Sequence, residues 1–207
     1  MTDAELIDAL VAEFTKDAGE PGAEDDRLDN LLIFRDTSLP GGVEPADVEP
    51  LLVTPWNERG RAIWRPTAIK LSPDDFGRFY QSMPGPLPPL YERLIGSYHF
   101  GEMELESFRL LPNFPPALDG LAKAMKSDAV MFRVLTSHGF VQFGRAPQYN
   151  YDPLCFDLNS RLPDGDCSIV QFDHEEILIH ERLRLVAVLA DSFRQLIQQT
   201  IGWNESS

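Results

Sequence analysis

The sequence predicts one α+β domain, a mixed and mostly antiparallel sheet that closes in a C-terminal β-meander and is packed by helices. Three observations carry this. From Gly139 onward, GFVQFG, DPLCFDL and DCSIVQFD are short runs rich in β-branched and aromatic residues, and the turn-rich NSRLPDGD joins the second to the third. Stretches with apolar residues at helical spacing lie on both sides of these runs. The 207 residues, 43% of them hydrophobic, suffice for one core and contain no internal repeat.

Taken in order, Leu6, Ile7, Leu10, Val11 and Phe14 recur at helical spacing behind a Thr2 and Glu5 capping-box pattern, which predicts an amphipathic helix over residues 3–16. The acidic DAGEPGAEDDRLDN is broken by Gly and Pro and reads as a connector, and LLIFRD after it reads as a buried strand. Residues 37–50 hold three prolines and the pair Gly41 and Gly42, a loop, after which LLVTPW and RAIWRPTAI read as two strands. Ser72 before Pro73 and Asp74 combines a cap with a proline at the first helical position, so a helix is expected to about Met83, where Pro84 and Gly85 stop it. Pro88 and Pro89 open PPLYERLIGSYHF, with Leu90, Leu94, Ile95 and Tyr98 on one face. FRLLP reads as a strand, PALDGLAKAMKSD as a helix, and VMFRVLTS fits either. Beyond the meander, Leu183, Val186, Ala190, Phe193 and Ile197 fall on one helical face, with a second helix start at Asp191 and Ser192 as the alternative.

Charge narrows the partner class. Of the net −15, residues 1–50 supply −11, from 14 acidic and three basic side chains, leaving −4 for the remaining 157 residues. Such a surface repels nucleic acid and anionic membranes and draws a basic protein. No apolar run reaches the ~18–20 residues that span a bilayer, and the opening MTDAELIDALVAEF carries acids where a secretory signal would carry Lys or Arg, so a cytoplasmic protein is expected. Cys155 and Cys167 form no CxxC pair and are expected to be reduced thiols.

Catalytic patterns are missing. There is no glycine-rich phosphate loop and no GxSxG elbow. HEEILIH, residues 174–180, places its histidines six apart, with Leu178 where a helical zinc site needs the second one, so no metal is expected there. Asp164, Gly165 and Asp166 read as a turn, because the further oxygen ligands of a calcium loop do not follow. Cys155 has no neighbouring Lys or Arg to lower its pKa, and no cofactor site is apparent. Trp56 and Trp64 read as core, whereas Tyr149 and Tyr151, flanking Asn150 at the mouth of the meander, suit a core or a contact role equally.

The series GFVQFG, YDPLCFDLNS, GDCSIVQFDHEEI and ADSFRQLI resembles the SUKH superfamily of bacterial toxin-immunity proteins and the fungal cell-wall synthesis regulator, and LPPLYERLIGSYHFGEMELESFRLL resembles that family's Leu-Pro helix and following strand. The likeness covers residues 72–201. The chain departs from the pattern at Tyr98, His99, Phe100 and Gly101, where Asn-Gly-Gly is common, and at Asp191, where Pro is common. The resemblance implies a mixed sheet packed by helices and binding of another protein. The leading expectation is an immunity or regulatory binding protein, not an enzyme, contacting a basic partner through Tyr149, Tyr151, Asp152, Glu175 and Glu176. The alternative is a small hydrolase or metal-dependent enzyme using Asp157, Asp166, His174 and Glu176. A structural module with an obligate apolar interface is a third. Oligomeric state is not readable from the sequence.

Overall fold

The computed structural model describes residues 1–15, 31–35, 39, 43–147 and 150–203. Helix α1 (Asp3–Thr15) begins as its capping box predicts: Thr2 N donates to Glu5 Oε2 at 2.7 Å and Glu5 N to Thr2 Oγ1 at 3.3 Å. It buries Leu6, Ile7, Leu10 and Phe14. The expected connector after it, and Lys16 itself, lie outside the described residues. Strand β1 (Leu32–Phe34) pairs with β2 (Arg61–Ile63). Between them α2 (Pro45–Val48) runs into a 3-10 turn, Glu49–Leu51. The expected LLVTPW strand does not form; only Leu52 bridges to Trp64. Pro50 sits inside the 3-10 turn and Pro55 has no N–H to give to a ladder.

Strand β3 (Thr67–Ala68) precedes α3 (Pro73–Tyr80), whose cap is reciprocal: Asp75 N donates to Ser72 Oγ at 3.3 Å and Ser72 N to Asp75 Oδ2 at 2.9 Å. The helix ends before Met83 because the next residues tighten into turns, with Ser82 N bonded to Phe79 O and Met83 N to Tyr80 O. Helix α4 (Pro89–Ser97) leads into β4 (Tyr98–His99), which pairs with β3. Then follow β5 (Met103–Glu104), β6 (Arg109–Leu110), α5 (Asp119–Met125) and α6 (Ala129–Ser137). The ambiguous VMFRVLTS is helical because Asp128 caps it, accepting from Met131 N at 2.9 Å.

The meander is β7 (Phe140–Arg145), β8 (Pro153–Asp157) and β9 (Ile169–Phe172). After α7 (His174–His180) comes β10 (Leu185–Ala190) and then α8 (Phe193–Thr200). A continuous helical face from Leu183 is therefore incorrect. LVAVLA is β-rich and pairs with β9, while Ser192 starts α8 by accepting from Gln195 N at 3.0 Å. The six-stranded sheet has the order β10-β9-β8-β7-β6-β5, and each of its pairings is antiparallel.

Alternation along the meander gives the sheet two faces. On one, Phe143 stacks on Phe156 with ring centroids 4.3 Å apart, and Tyr91 of α4 and Phe193 of α8 meet them edge-on. Helix α1 packs on this side against α4 and α8. Trp64 is core, 2% exposed and stacked on Phe14, and Trp56 is partly buried against the same core. On the other face α6 and α7 cover Cys155, Val170 and Phe172 with Met131, Val134, Leu135 and Ile177. Both cysteines are free and buried; burial pushes the Cys155 thiol well up and that of Cys167 to about 12. Among the described residues no helix is long and apolar enough to cross a membrane.

Strand β7 approaches β6 so closely at Gly144 that a Cβ there would lie 2.4 Å from the carbonyl oxygen of Arg109. Gly144→Ala is expected to destabilise the protein by about 1–3 kcal/mol through this overpacking. Urea denaturation checks it: the midpoint falls while the slope is kept.

Candidate functional site

The β7–β8 connection and the start of α7 converge on one carboxylate. Buried Arg109 holds the connection from below, its Nε donating to Ala146 O at 3.2 Å and Nη2 to Asn150 O at 2.8 Å while Nη1 pairs with Glu102 at 3.1 Å. Asn150 turns the chain by accepting from Asp152 N at 2.9 Å, which aims Asp152 at α7. Asp152 Oδ1 accepts from His174 N at 3.1 Å and bonds His174 Nδ1 at 2.7 Å; Oδ2 accepts from Gln171 Nε2 at 2.8 Å and Asn150 Nδ2 at 3.4 Å. Burial pushes this carboxyl's pKa up, but the hydrogen bonds of His174, Gln171 and Asn150 outweigh burial and hold it below the ordinary aspartate value. An ionised carboxylate only accepts, so Nδ1 of His174 carries a proton and Nε2 is the atom left for other partners.

The neighbours extend this rim. The Tyr151 ring, 59% exposed, lies 6.1 Å from the His174 ring with the Arg145 guanidinium 5.6 Å over its face. Asp173 caps α7, accepting from Glu176 N at 3.0 Å and from Arg184, and the Glu176 N–H is the main cause of its lowered pKa. Glu175, exposed, and Glu176, half-buried, occupy the first turn of α7, where the helix dipole favours acids.

Of the expected contact residues, Tyr151, Glu175 and Glu176 lie next to Asp152 or His174 with their side chains at least partly exposed, whereas Asp152 is buried, 9% exposed, with both oxygens committed to His174, Gln171 and Asn150. Tyr149 lies outside the described residues. The alternative catalytic set does not converge. Asp157 ends β8 at the edge remote from Asp152, a strand of five residues or ~17 Å away. Asp166 is at that remote end too, buried under α8, where it accepts from Phe193 N and Arg194 N. His174 and Glu176 stay at the near end.

Sequence reading missed the pairing of Asp152 with His174, and the Asp173 cap. One ligand atom from each of Asp152, Asp173 and His174 falls within 4.8 Å of the others. Both carboxylates already serve the protein's own donors, so a cation there would have to displace the capping and clasping bonds. An Asp-oriented imidazole is also suited to proton transfer, but among the described residues no hydroxyl or thiol is bonded to His174 as a nucleophile would be. No protein-family model matches the chain, and no curated protein matches its sequence.

Proposed function

We propose that this protein is a cytoplasmic binding module of the SUKH type, an immunity or regulatory protein that holds a basic protein, in the first case a toxin, on the rim of Tyr151, Glu175 and Glu176, which buried Asp152 supports from within and which Tyr149 adjoins in sequence. One observation carries the reading: exposed Tyr151 and the acidic first turn of α7 share a rim whose backbone Arg109, Asp152 and His174 tie together by hydrogen bonds. Such a rim loses little conformational entropy on binding, and aromatic anchors with a charged surround are what a protein partner uses. The net charge of −15 supports a basic partner by steering.

Binding kinetics against the candidate toxin test this across salt concentrations. Glu175→Lys with Glu176→Lys is expected to speed dissociation about 10-fold or more even in high salt, since a desolvated like-charge contact is weakly screened. Lys in the first turn of α7 also opposes the helix dipole, so the Gln pair at both positions serves as control, with a smaller effect in the same direction. Neutralising Glu20, Glu24, Asp25 and Asp26 is expected to slow association and flatten its salt dependence, with dissociation changed less than about twofold. Substitution is needed here, because removing the N-terminus would strip Leu6, Ile7 and Leu10 from the core. Dissociation unchanged by the Lys pair removes the two glutamates from the interface.

A further inference from the structure

Helices α6 and α7 leave part of their sheet face uncovered. A groove of ≈ 370 Å³ lies there, lined by Val170 and Phe172 of β9 and by Leu185 and Val188 of β10, with Phe140 of β7 and its cross-strand partner Asp157 of β8 on its other side. Leu185 and Val188 are 54% and 58% exposed, which is unusual for two aliphatic side chains on one strand of a sheet face. Asp157 is the one ionisable residue among those lining the groove. Its Oδ1 accepts from Asn159 N and Nδ2, and among the described residues it has no cationic partner. An apolar trough closed by one carboxylate fits a ligand with an aliphatic body and a cationic end.

We propose that this groove anchors a segment of the partner protein that lays aliphatic side chains over Val170, Phe172, Leu185 and Val188 and sets a Lys or Arg against Asp157. The proposal rests on the reading of this chain as a binder of a basic protein. Charge selects that occupant: a second copy would bring one chain of −15 onto another, whereas a basic segment meets both Asp157 and the field of the whole chain. The register favours docking on the face over extension of the sheet. Two shifts, between Leu185 and Ala187 and between Val188 and Ala190, kink β10, and a bulged edge is a poor template for another strand. The volume admits a few side chains, near the lower end of the ~300–1,000 Å³ of ordinary binding pockets. Asp157 and Asp152 lie at opposite ends of β8, about 17 Å apart, so one partner of ordinary interface size reaches both the groove and the rim.

The test is an NMR titration of the isotope-labelled full chain with three peptides, acetyl-Leu-Val-Leu-Xaa-Gly-amide, in which Xaa is Lys, norleucine or Glu. The Lys peptide is expected to shift Val170, Phe172, Leu185 and Val188 and to bind about 10-fold tighter than the norleucine one, with the Glu peptide weakest. Asp157→Asn, which keeps the acceptor used by Asn159, is expected to cut the preference for Lys over norleucine to about twofold or less, the remainder that the field of the whole chain supplies. Val188→Glu, a change at an exposed position, is expected to abolish binding of the Lys and norleucine peptides while the spectrum stays folded. No shifts in the groove, or equal affinity for Lys and Glu peptides, overturns the proposal. Shifts confined to Tyr151, Glu175 and Glu176 overturn the groove but leave the basic-partner reading standing. Groove resonances that move with protein concentration alone, together with a dimer by sedimentation, assign the face to a second copy and overturn it as well.

Discussion

Asp166→Ala is expected to cost about 3–5 kcal/mol, roughly a fifth or more of the ~5–15 kcal/mol stability of an ordinary domain. Asp166 is 6% exposed, and both of its carboxylate oxygens are used. Oδ1 accepts from Cys167 N at 2.8 Å and Phe193 N at 3.0 Å, and Oδ2 accepts from Arg194 N at 3.2 Å. The carboxylate therefore ties the β8–β9 connection to the first turn of α8, the helix that places Phe193, Leu196 and Ile197 in the core. Alanine leaves buried backbone donors without an acceptor, and each such donor costs about 1–3 kcal/mol. The three losses share one site and do not simply add, so the expected total stays below their sum. Asp166→Asn keeps an oxygen for Cys167 and Phe193 but turns an NH2 toward Arg194 N, so roughly half the loss is expected. Asp164, two residues earlier, is exposed and among the described residues accepts from Asp166 N alone, and Asp164→Ala is expected to cost less than about 1 kcal/mol. Urea denaturation of the three variants decides the matter. A loss under 1 kcal/mol for Asp166→Ala would show that another group anchors α8.

Asp166 also marks the limit of what the sequence reveals. Its setting in PDGD reads as a turn, and a turn is there, but the partner donors lie 27 residues on, at a distance no local pattern reports. Local signals were legible where the energy is local. The Thr2 and Ser72 capping boxes and the proline starts of α3 and α4 stand where expected and the meander strands overlap their expected runs, but both helices end about three residues early, and Tyr98, expected on the face of α4, opens β4 instead. The failures are places where tertiary pairing competes with periodicity. Leu183, Val186 and Ala190 fit a helical face, yet residues 185–190 gain a ladder with β9 and become an edge strand. The rim was half legible. Tyr151, Asp152, Glu175 and Glu176 could be grouped because two ends of the meander meet, but the contact of Asp152 with His174 needs the strand register. Leu154 lies opposite Gln171, so two residues further along each strand Asp152 comes beside Asp173 and His174. Leu154, Cys155 and Phe156 are all apolar and all buried, so no alternation in the sequence fixes that register.

That contact yields the second large expected effect. Asp152→Ala removes the acceptor for His174 Nδ1, His174 N and Gln171 Nε2, and is expected to destabilise the protein by about 2–4 kcal/mol at neutral pH. The effect has a pH signature. Burial by itself raises the carboxyl's pKa, but the bonds from His174, Gln171 and Asn150 win, and the folded carboxyl titrates below its ordinary value of 3.8. The folded state therefore binds its proton less readily than the unfolded chain does. The stabilisation from this depressed carboxyl is fully present above the unfolded value, and it is lost as pH falls through the folded one. Asp152→Asn, which cannot ionise, is expected to show a flatter dependence of unfolding free energy on pH below about 4 than the parent protein, with equal slopes above about 5. Chemical denaturation at closely spaced pH values, with parent and variant in the same buffers, measures the difference. Parallel curves throughout the acid range would mean that His174 and Gln171 do not favour the charged form of Asp152, and the rim would lose the rigid carboxylate on which Tyr151 and α7 are set.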